Sequence, residues 1–367
     1  MEKTSAHKPP ASDGLSTRAI LVITGAVVLL CVFGLRAGLF IGAMRETHAV
    51  LGRSGLPKDA IRKLGGNGRA AHRLGAYLRL PERAAPYRMR AVRLLGRCGA
   101  PAVPALCRVL DGEDPGLCRE AVRGLGIIES GRDEDPVVPP LTKALDNPDP
   151  RVRMAAATYL GYRGEAAQEA VPRLARLIED PDEKVRLRAV RALRDIGPAA
   201  VEAVPALGHC LDEETNSLMQ RAMADALAEI GPGAATAVPA LMRALETGDV
   251  FLRDRALYAL RRIGPAAAGT VPALIRVLQE DKDMGNRMGA AIVLGVIGPE
   301  AHAATPSLAQ ALLSEDGVLR AFAAEALGGI GPAAGRAIPA LERALEDENP
   351  HVRIAALGAL KRIRGGR

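Results

Sequence analysis

From about residue 69 to the C-terminus, apolar positions recur in paired helical stripes separated by short breaks. One pair shows the form. Val171-Pro172-Arg173-Leu174-Ala175-Arg176-Leu177 opens a first stripe, and Val185, Ala189, Leu193 and Ile196 make a second at helical spacing. Proline at the start of the first stripe suits a first helical turn, where its missing N–H is not needed. The second stripe ends in Ile-Gly-Pro, which predicts a glycine C-cap in the left-handed helical region and a proline stop. Ile-Gly-Pro occurs with its glycine at 197, 231, 264, 298 and 331, so the period is 33 to 34 residues. A proline follows each glycine after eight residues, at 205, 239, 272, 306 and 339. Weaker copies run upstream at Gly164 with Pro172, Gly131 with Pro139 and around Gly99 with Pro104, and Ala70–Cys98 reads as a first copy. A leucine holds one slot of the second stripe throughout: Leu160, Leu193, Leu227, Leu260, Leu294, Leu327 and Leu360. Glycine and proline here punctuate helices and do not form ligand loops.

A polar pair recurs in register with this pattern: Asp149/Arg153, Asp182/Arg186, Asp249/Arg253, Asp283/Arg287 and Asp316/Arg320. Each aspartate precedes the second helix, where it can N-cap, and each arginine can reach an aspartate of its own or the neighbouring repeat. The five pairs predict a ladder that fixes stacking. Asn216/Gln220 and Asp114/Cys118 replace the pair in two repeats, which puts the local stacking there in question. Five equal copies argue against a catalytic use of these carboxylates, because an active site needs one distinct copy.

The phrase V-P-A-L…D…V-R…A…A-L…I-G-P resembles the HEAT repeat, in the short variant named after phycobilisome lyases, over residues 69–367. The resemblance implies an all-α fold: an α-solenoid, a right-handed superhelix of about nine helical hairpins, serving as scaffold or binding surface. It also sets tests for enzymatic relatives. Deoxyhypusine hydroxylase, which is similar in architecture, binds iron through His-Glu dipeptides, and no histidine here is followed by glutamate. HEAT-like DNA glycosylases use tryptophan in the base pocket, and this chain has none. Walker A, GxSxG and HExxH are also missing from the sequence. No catalytic residue, cofactor or metal ligand is therefore assigned. A bilin-lyase-like enzyme or enzyme subunit stays as the alternative implied by the repeat type, although a groove poor in aromatics is a weak cradle for a flat tetrapyrrole.

Composition agrees with closely stacked helices. The 367 residues are 48% hydrophobic but only 2% aromatic. Few stacking platforms exist for single-stranded nucleic acid, which argues against that partner. Five cysteines, odd in number and without a CxxC pair, suggest neither a disulfide framework nor a zinc site. Cys98 fills a slot held elsewhere by isoleucine and reads as core, and Cys107 and Cys210 read as small packing positions.

The N-terminal region has a different organisation. Residues 1–18 form a polar tail. Ala19 to Leu35 carries no charge over 17 residues, Arg36 interrupts, and an apolar run resumes to Met44. As a helix, 17 residues span roughly 25 Å, enough for a bilayer core if Arg36 snorkels. Residues 19–44 are thus expected to be a single transmembrane or signal-anchor helix. A cleaved signal peptide, giving a secreted soluble repeat protein, is the alternative, but no small-residue cleavage site lies just beyond the run. Lys/Arg flanks number three before the segment and six after it through residue 65, which places the repeat array on the cytoplasmic side. Gly34, Gly38 and Gly42 form a tandem GxxxG that could support a homodimer, with Arg36 inside it.

Residues 45–68 are expected to be a basic juxtamembrane linker. Residues 51–100 hold twelve Lys/Arg against Asp59 and Glu82, within a chain whose net charge is only +7. Arg90, Arg93 and Arg97, at i, i+3 and i+7, share a helix face that could meet anionic lipid at about 1 kcal/mol per charge. The sequence as a whole points to a non-catalytic, membrane-tethered scaffold that binds protein partners.

Overall fold

A computed structural model describes residues 45–47, 49, 51, 66–78, 85–129 and 135–365. The expected anchor at 19–44, its Gly34/Gly38/Gly42 motif, the tail and most of the linker lie outside the described residues. Within them the chain is helical and contains no strand. The helices pair as α1 (Asn67–Tyr77) with α2 (Ala85–Gly96), α3 (Val103–Leu110) with α4 (Pro115–Gly126), α5 (Val138–Ala144) with α6 (Pro150–Arg163), and α7 (Val171–Arg176) with α8 (Glu183–Ile196). The pairing continues with α9 (Val204–Glu213) and α10 (Ser217–Ile230), α11 (Val238–Thr247) and α12 (Val250–Ile263), and α13 (Val271–Glu280) and α14 (Met284–Ile297). The last two pairs are α15 (Thr305–Ala311) with α16 (Gly317–Ile330) and α17 (Ile338–Ala344) with α18 (Pro350–Gly365). Each pair packs on the next, and contacts run only between sequence neighbours, as in a solenoid.

The joint between repeats differs from the predicted C-cap. Gly197 sits at φ 69°, ψ −134°, not in the left-handed helical region, and the corresponding glycines from 164 to 331 follow it. That combination is strained for any residue with a Cβ. From each glycine a turn of 3-10 helix, such as Gly197–Ala203, carries the chain to the next first helix. Its fourth residue is a fully buried alanine in repeat after repeat: Ala167, Ala200, Ala234, Ala267, Ala301 and Ala334. Where Ile-Gly-Pro is lacking after α4, Arg163 substitutes. Its Nη2 donates to the carbonyls of Leu125, Gly126 and Ile128 at the end of α4, and its guanidinium lies 3.3 Å from Asp135.

The leucine column is the spine of the core. Leu160, Leu193, Leu227, Leu260, Leu294 and Leu327 are fully buried. Small residues on either side of it let second helices approach. A Cβ on Gly161 would stand 3.1 Å from the Ala192 Cα, on Gly295 2.8 Å from the Ala326 Cα, and on Gly328 2.9 Å from the Ala359 Cα. The residue after the leucine thus meets the residue before the next leucine. Second helices touch one another far more extensively than first helices do, so the array bends toward the second-helix side.

Candidate interaction surface

The Asp/Arg positions show how the repeats are latched. The aspartates N-cap: the Asp182 carboxylate accepts from the N–H groups of Lys184 and Val185, and Asp316 from those of Val318 and Leu319. Asp149, Asp249 and Asp283 do the same through one N–H each. Bonds from Arg151 hold the Asp149 carboxyl down to about 2.

None of the five pairs forms within itself, and three of the arginines reach a different acid in the next repeat. Arg153 Nε donates to Asp180 at 2.7 Å, Arg253 Nε to Asp281 at 2.7 Å, and Arg320 Nε to Asp347 at 2.8 Å. These acceptors stand two residues before the N-cap of their own repeat; Asp180 and Asp281 are almost wholly withdrawn from solvent and Asp347 largely so. The ladder therefore has three such rungs among the described residues. Arg186 and Arg287 make no such rung: Glu214, in the slot ahead of α10, accepts from the N–H groups of Thr215 and Asn216, Ser314 fills the slot ahead of α16, and both arginines bond backbone carbonyls instead.

Most repeats keep the second half of the device, in which the same side chain clamps the loop ahead of its helix. Arg153 donates to the carbonyls of Asn147 and Pro148, and Arg320 to those of Ser314 and Glu315. Gln220 donates to the Glu214 carbonyl at 2.8 Å, and the Cys118 thiol to the Gly112 carbonyl at 3.2 Å. Asn216 and Asp114 cap normally, so the two departing repeats preserve cap and clamp and lose only the rung. A second set of pairs joins first helices: Lys143 with Asp111, Arg243 with Asp212, and Arg276 with Glu246. These are exposed and contribute about 0–1 kcal/mol each.

The basic face on α2 is partly engaged. Arg90 donates to the Leu51 carbonyl at 2.6 Å, Arg93 meets Glu120 of α4 at 3.2 Å, and Arg97 is exposed. The segment before α1 is pinned at its other end too, since Glu46 pairs with Arg73 at 2.7 Å.

The cysteines sit in the packing. Cys98 is buried and its thiol is pushed up to about 11 by desolvation; Cys210, beside Glu179, is pushed to about 11, first by burial and then by that carboxylate. Among the described residues no three His, Cys, Asp or Glu side chains are grouped to hold a metal ion.

What varies between repeats is the solvent-facing side of the second helices. Five residues after each N-cap stand Met154, Leu187, Arg221, Asp254, Met288, Ala321 and Ile354, none of them buried. The α8 and α12 surface is charged: Lys184, Arg188 and Arg191 on α8, Asp254, Arg255 and Arg261 on α12. Between them, Arg221 of α10 lies over the Phe251 ring at 5.1 Å. Further along, α14 presents Met284, Met288, Ile292 and Val296, and α16 adds Val318 and Phe322. One stretch among the described residues, Met284–Ala311, is apolar and long enough to cross a membrane, but half of it is buried and it comprises α14 and α15 joined through a 3-10 turn.

Stacked two-helix units with a continuous leucine spine and a variable curved surface define a helical-repeat solenoid. The chain belongs to the HEAT-repeat family, whose profile matches residues 138–228, 204–295 and 305–367. It is similar to the crystal structure of an engineered protein, at 25% identity and a TM-score of 0.54, over 88% of this chain and 94% of that one. A second engineered protein is 24% identical over 62% of this chain and 97% of its own, with a TM-score of 0.38. No curated protein shows significant similarity to the chain.

Proposed function

We propose that this protein is a non-catalytic, membrane-tethered scaffold that binds protein partners on the second-helix face of its HEAT array. The supporting observation is the division of labour within each repeat. Positions that repeat without change, the leucine column and the 3-10 alanines, are buried, whereas the positions that change are those that meet solvent. A surface freed from stacking duty is available for recognition.

The tether in this reading is the apolar segment 19–44. Because Glu46 and Leu51 are fastened to the first repeat, only ten residues separate Arg36 from an anchored side chain. Fully extended they reach roughly 35 Å, so the first repeat stays that close to the bilayer. The cations of residues 51–100 then face anionic headgroups, and the array lies on the cytoplasmic side. Two measurements test this. External protease should leave the C-terminus intact in whole cells and cleave it after permeabilisation. Proximity labelling from the C-terminus should return a defined protein set that a control anchor without the array does not; an identical set for both would refute the scaffold.

A further inference from the structure

Across α14 and α16 the second-helix face is apolar, and on α18 Ile354 continues it as far as the exposed Lys361 and Arg362. Met284, Met288, Ile292 and Val296 recur every fourth residue and form a strip along α14. Val318 on α16 is 50% exposed and Ile354 on α18 is 69% exposed, so the strip broadens across three repeats. No cation interrupts it on α14 or α16, because Arg287 is turned onto the Leu278 carbonyl and Arg320 onto Asp347. Glu325 is the exposed charge within it and makes no bond among the described residues. The loops at the N-terminal edge of these helices are acidic: Glu280, Asp283, Glu315 and Glu346 are exposed, against Lys282 alone.

The protein's own apolar run Ala19–Leu35 carries no charge and offers no partner to these acids. The occupant therefore comes from another molecule.

Its backbone state follows from what the face can offer. An extended segment needs side-chain amides or a sheet edge to satisfy its N–H and C=O groups, and the face has neither. The asparagines near it are committed: Asn286 is buried and bonds Val250 and Asp281, and Asn349 caps α18. A helix satisfies its own backbone and presents a stripe of side chains to a nonpolar strip.

Resting on the scaffold reading, we infer that the α14–α16 face, with Ile354 at its edge, binds a cationic amphipathic helix, its apolar stripe on Met288, Ile292 and Val318 and its Lys/Arg side chains toward Glu325 and the acidic loops. The probe is an 18-residue Leu/Lys peptide with all leucines on one helical face, measured by fluorescence anisotropy against the full chain in neutral-lipid nanodiscs, with empty nanodiscs subtracted. It should bind about tenfold more tightly than a Leu/Glu peptide of the same pattern or a Leu/Lys peptide with scattered leucines. Ile292→Glu and, separately, the surface change Glu325→Lys should each weaken it by about tenfold, with helical circular dichroism unchanged. Equal binding of the acidic peptide, no effect of either folded variant, or displacement of the peptide by self-association of the chain would overturn the assignment. If both variants lose the peptide but keep the protein set captured by proximity labelling, this surface assignment fails and the scaffold reading stands. If the wild type captures no set beyond the anchor control, the scaffold reading itself fails.

Discussion

Repeats α7–α12 and repeats α13–α16 share one backbone plan and present opposite chemistries to solvent. In the first group, Arg188, Arg191, Asp225, Asp254 and Arg255 cover the second-helix face; in the second, methionine, isoleucine, valine and glycine cover it. Beneath both, the leucine column and the 3-10 alanines are equally buried. Stacking is thus independent of the exposed columns, and the array can vary its surface without re-solving its core. The two groups differ in how closely their helices approach. Arg261 follows the leucine of α12, whereas Gly295 follows that of α14, and a Cβ on Gly329 would fall 2.3 Å from the Gly295 carbonyl oxygen. The apolar group is the more tightly seated.

The largest expected effect tests the shared core. Leu227→Ala on α10 and Leu294→Ala on α14 should each cost about 2–5 kcal/mol in urea unfolding. A small cost for one and not the other would show that the two groups do not share a spine. Next comes the close approach. Gly295→Val should cost about 1–3 kcal/mol by overpacking against α16, while Arg261→Val, at the matching slot of α12, should change stability by about 0.5 kcal/mol or less. Equal costs would erase the distinction in seating.

The rungs follow. Arg320→Met removes a charge-assisted bond to Asp347 and should cost about 1–3 kcal/mol, whereas Arg186→Met, with no carboxylate bonded to it, should cost about 1 kcal/mol. Thermal denaturation of the two variants side by side checks the order. The smallest effects are in pH. Hydrogen bonds from Arg320 hold the Asp347 carboxyl below its ordinary 3.8. Its contribution is therefore full above 3.8 and is lost as the pH falls through the lower folded value, and Asp347→Asn should flatten that acid limb. Asp225 on the charged face behaves oppositely, because burial raises it more than Arg255 lowers it. Its contribution is present below 3.8 and lost as the pH rises through the folded value, so Asp225→Asn should be neutral or stabilising at pH 7. Destabilisation there would show that the Arg255 pair outweighs desolvation.

The period, the helix pairs and the leucine column were legible because a solenoid repeats the same burial problem every 33 to 34 residues. The recurring Asp and Arg were legible as an N-cap and a long cationic arm. The arm's target was not. Asp180, Asp281 and Asp347 recur too irregularly to form a sequence column, and their slot holds Asn147, Glu214, Thr247 and Ser314 in other repeats. Their doublet with the following cap residue, as in Asp180-Pro181-Asp182, was the available signal. The thiol clamp of Cys118 carried no signal, since cysteine in a helix reads as packing. The apolar face was hidden for another reason. Met284–Ile297 is apolar nearly all round, so hydrophobic spacing alone does not separate the side toward the core from the side toward solvent.

The missing rung between α8 and α10 has a mechanical meaning. Pulled or bent, a stack of layers yields where its interlayer ties are weakest. Arg153, Arg253 and Arg320 tie three junctions with paired, shielded charges. At the α8–α10 junction the ties are the exposed bond from Asn216 to Glu183 and the weak contact of Cys210 with Glu179. Under load the array has a graded compliance, stiff at the three tied junctions and softer where a rung is lacking, as between Ile196 and Val204. That joint lies on the charged side, so bending there turns the acidic-rimmed apolar end relative to the first repeats.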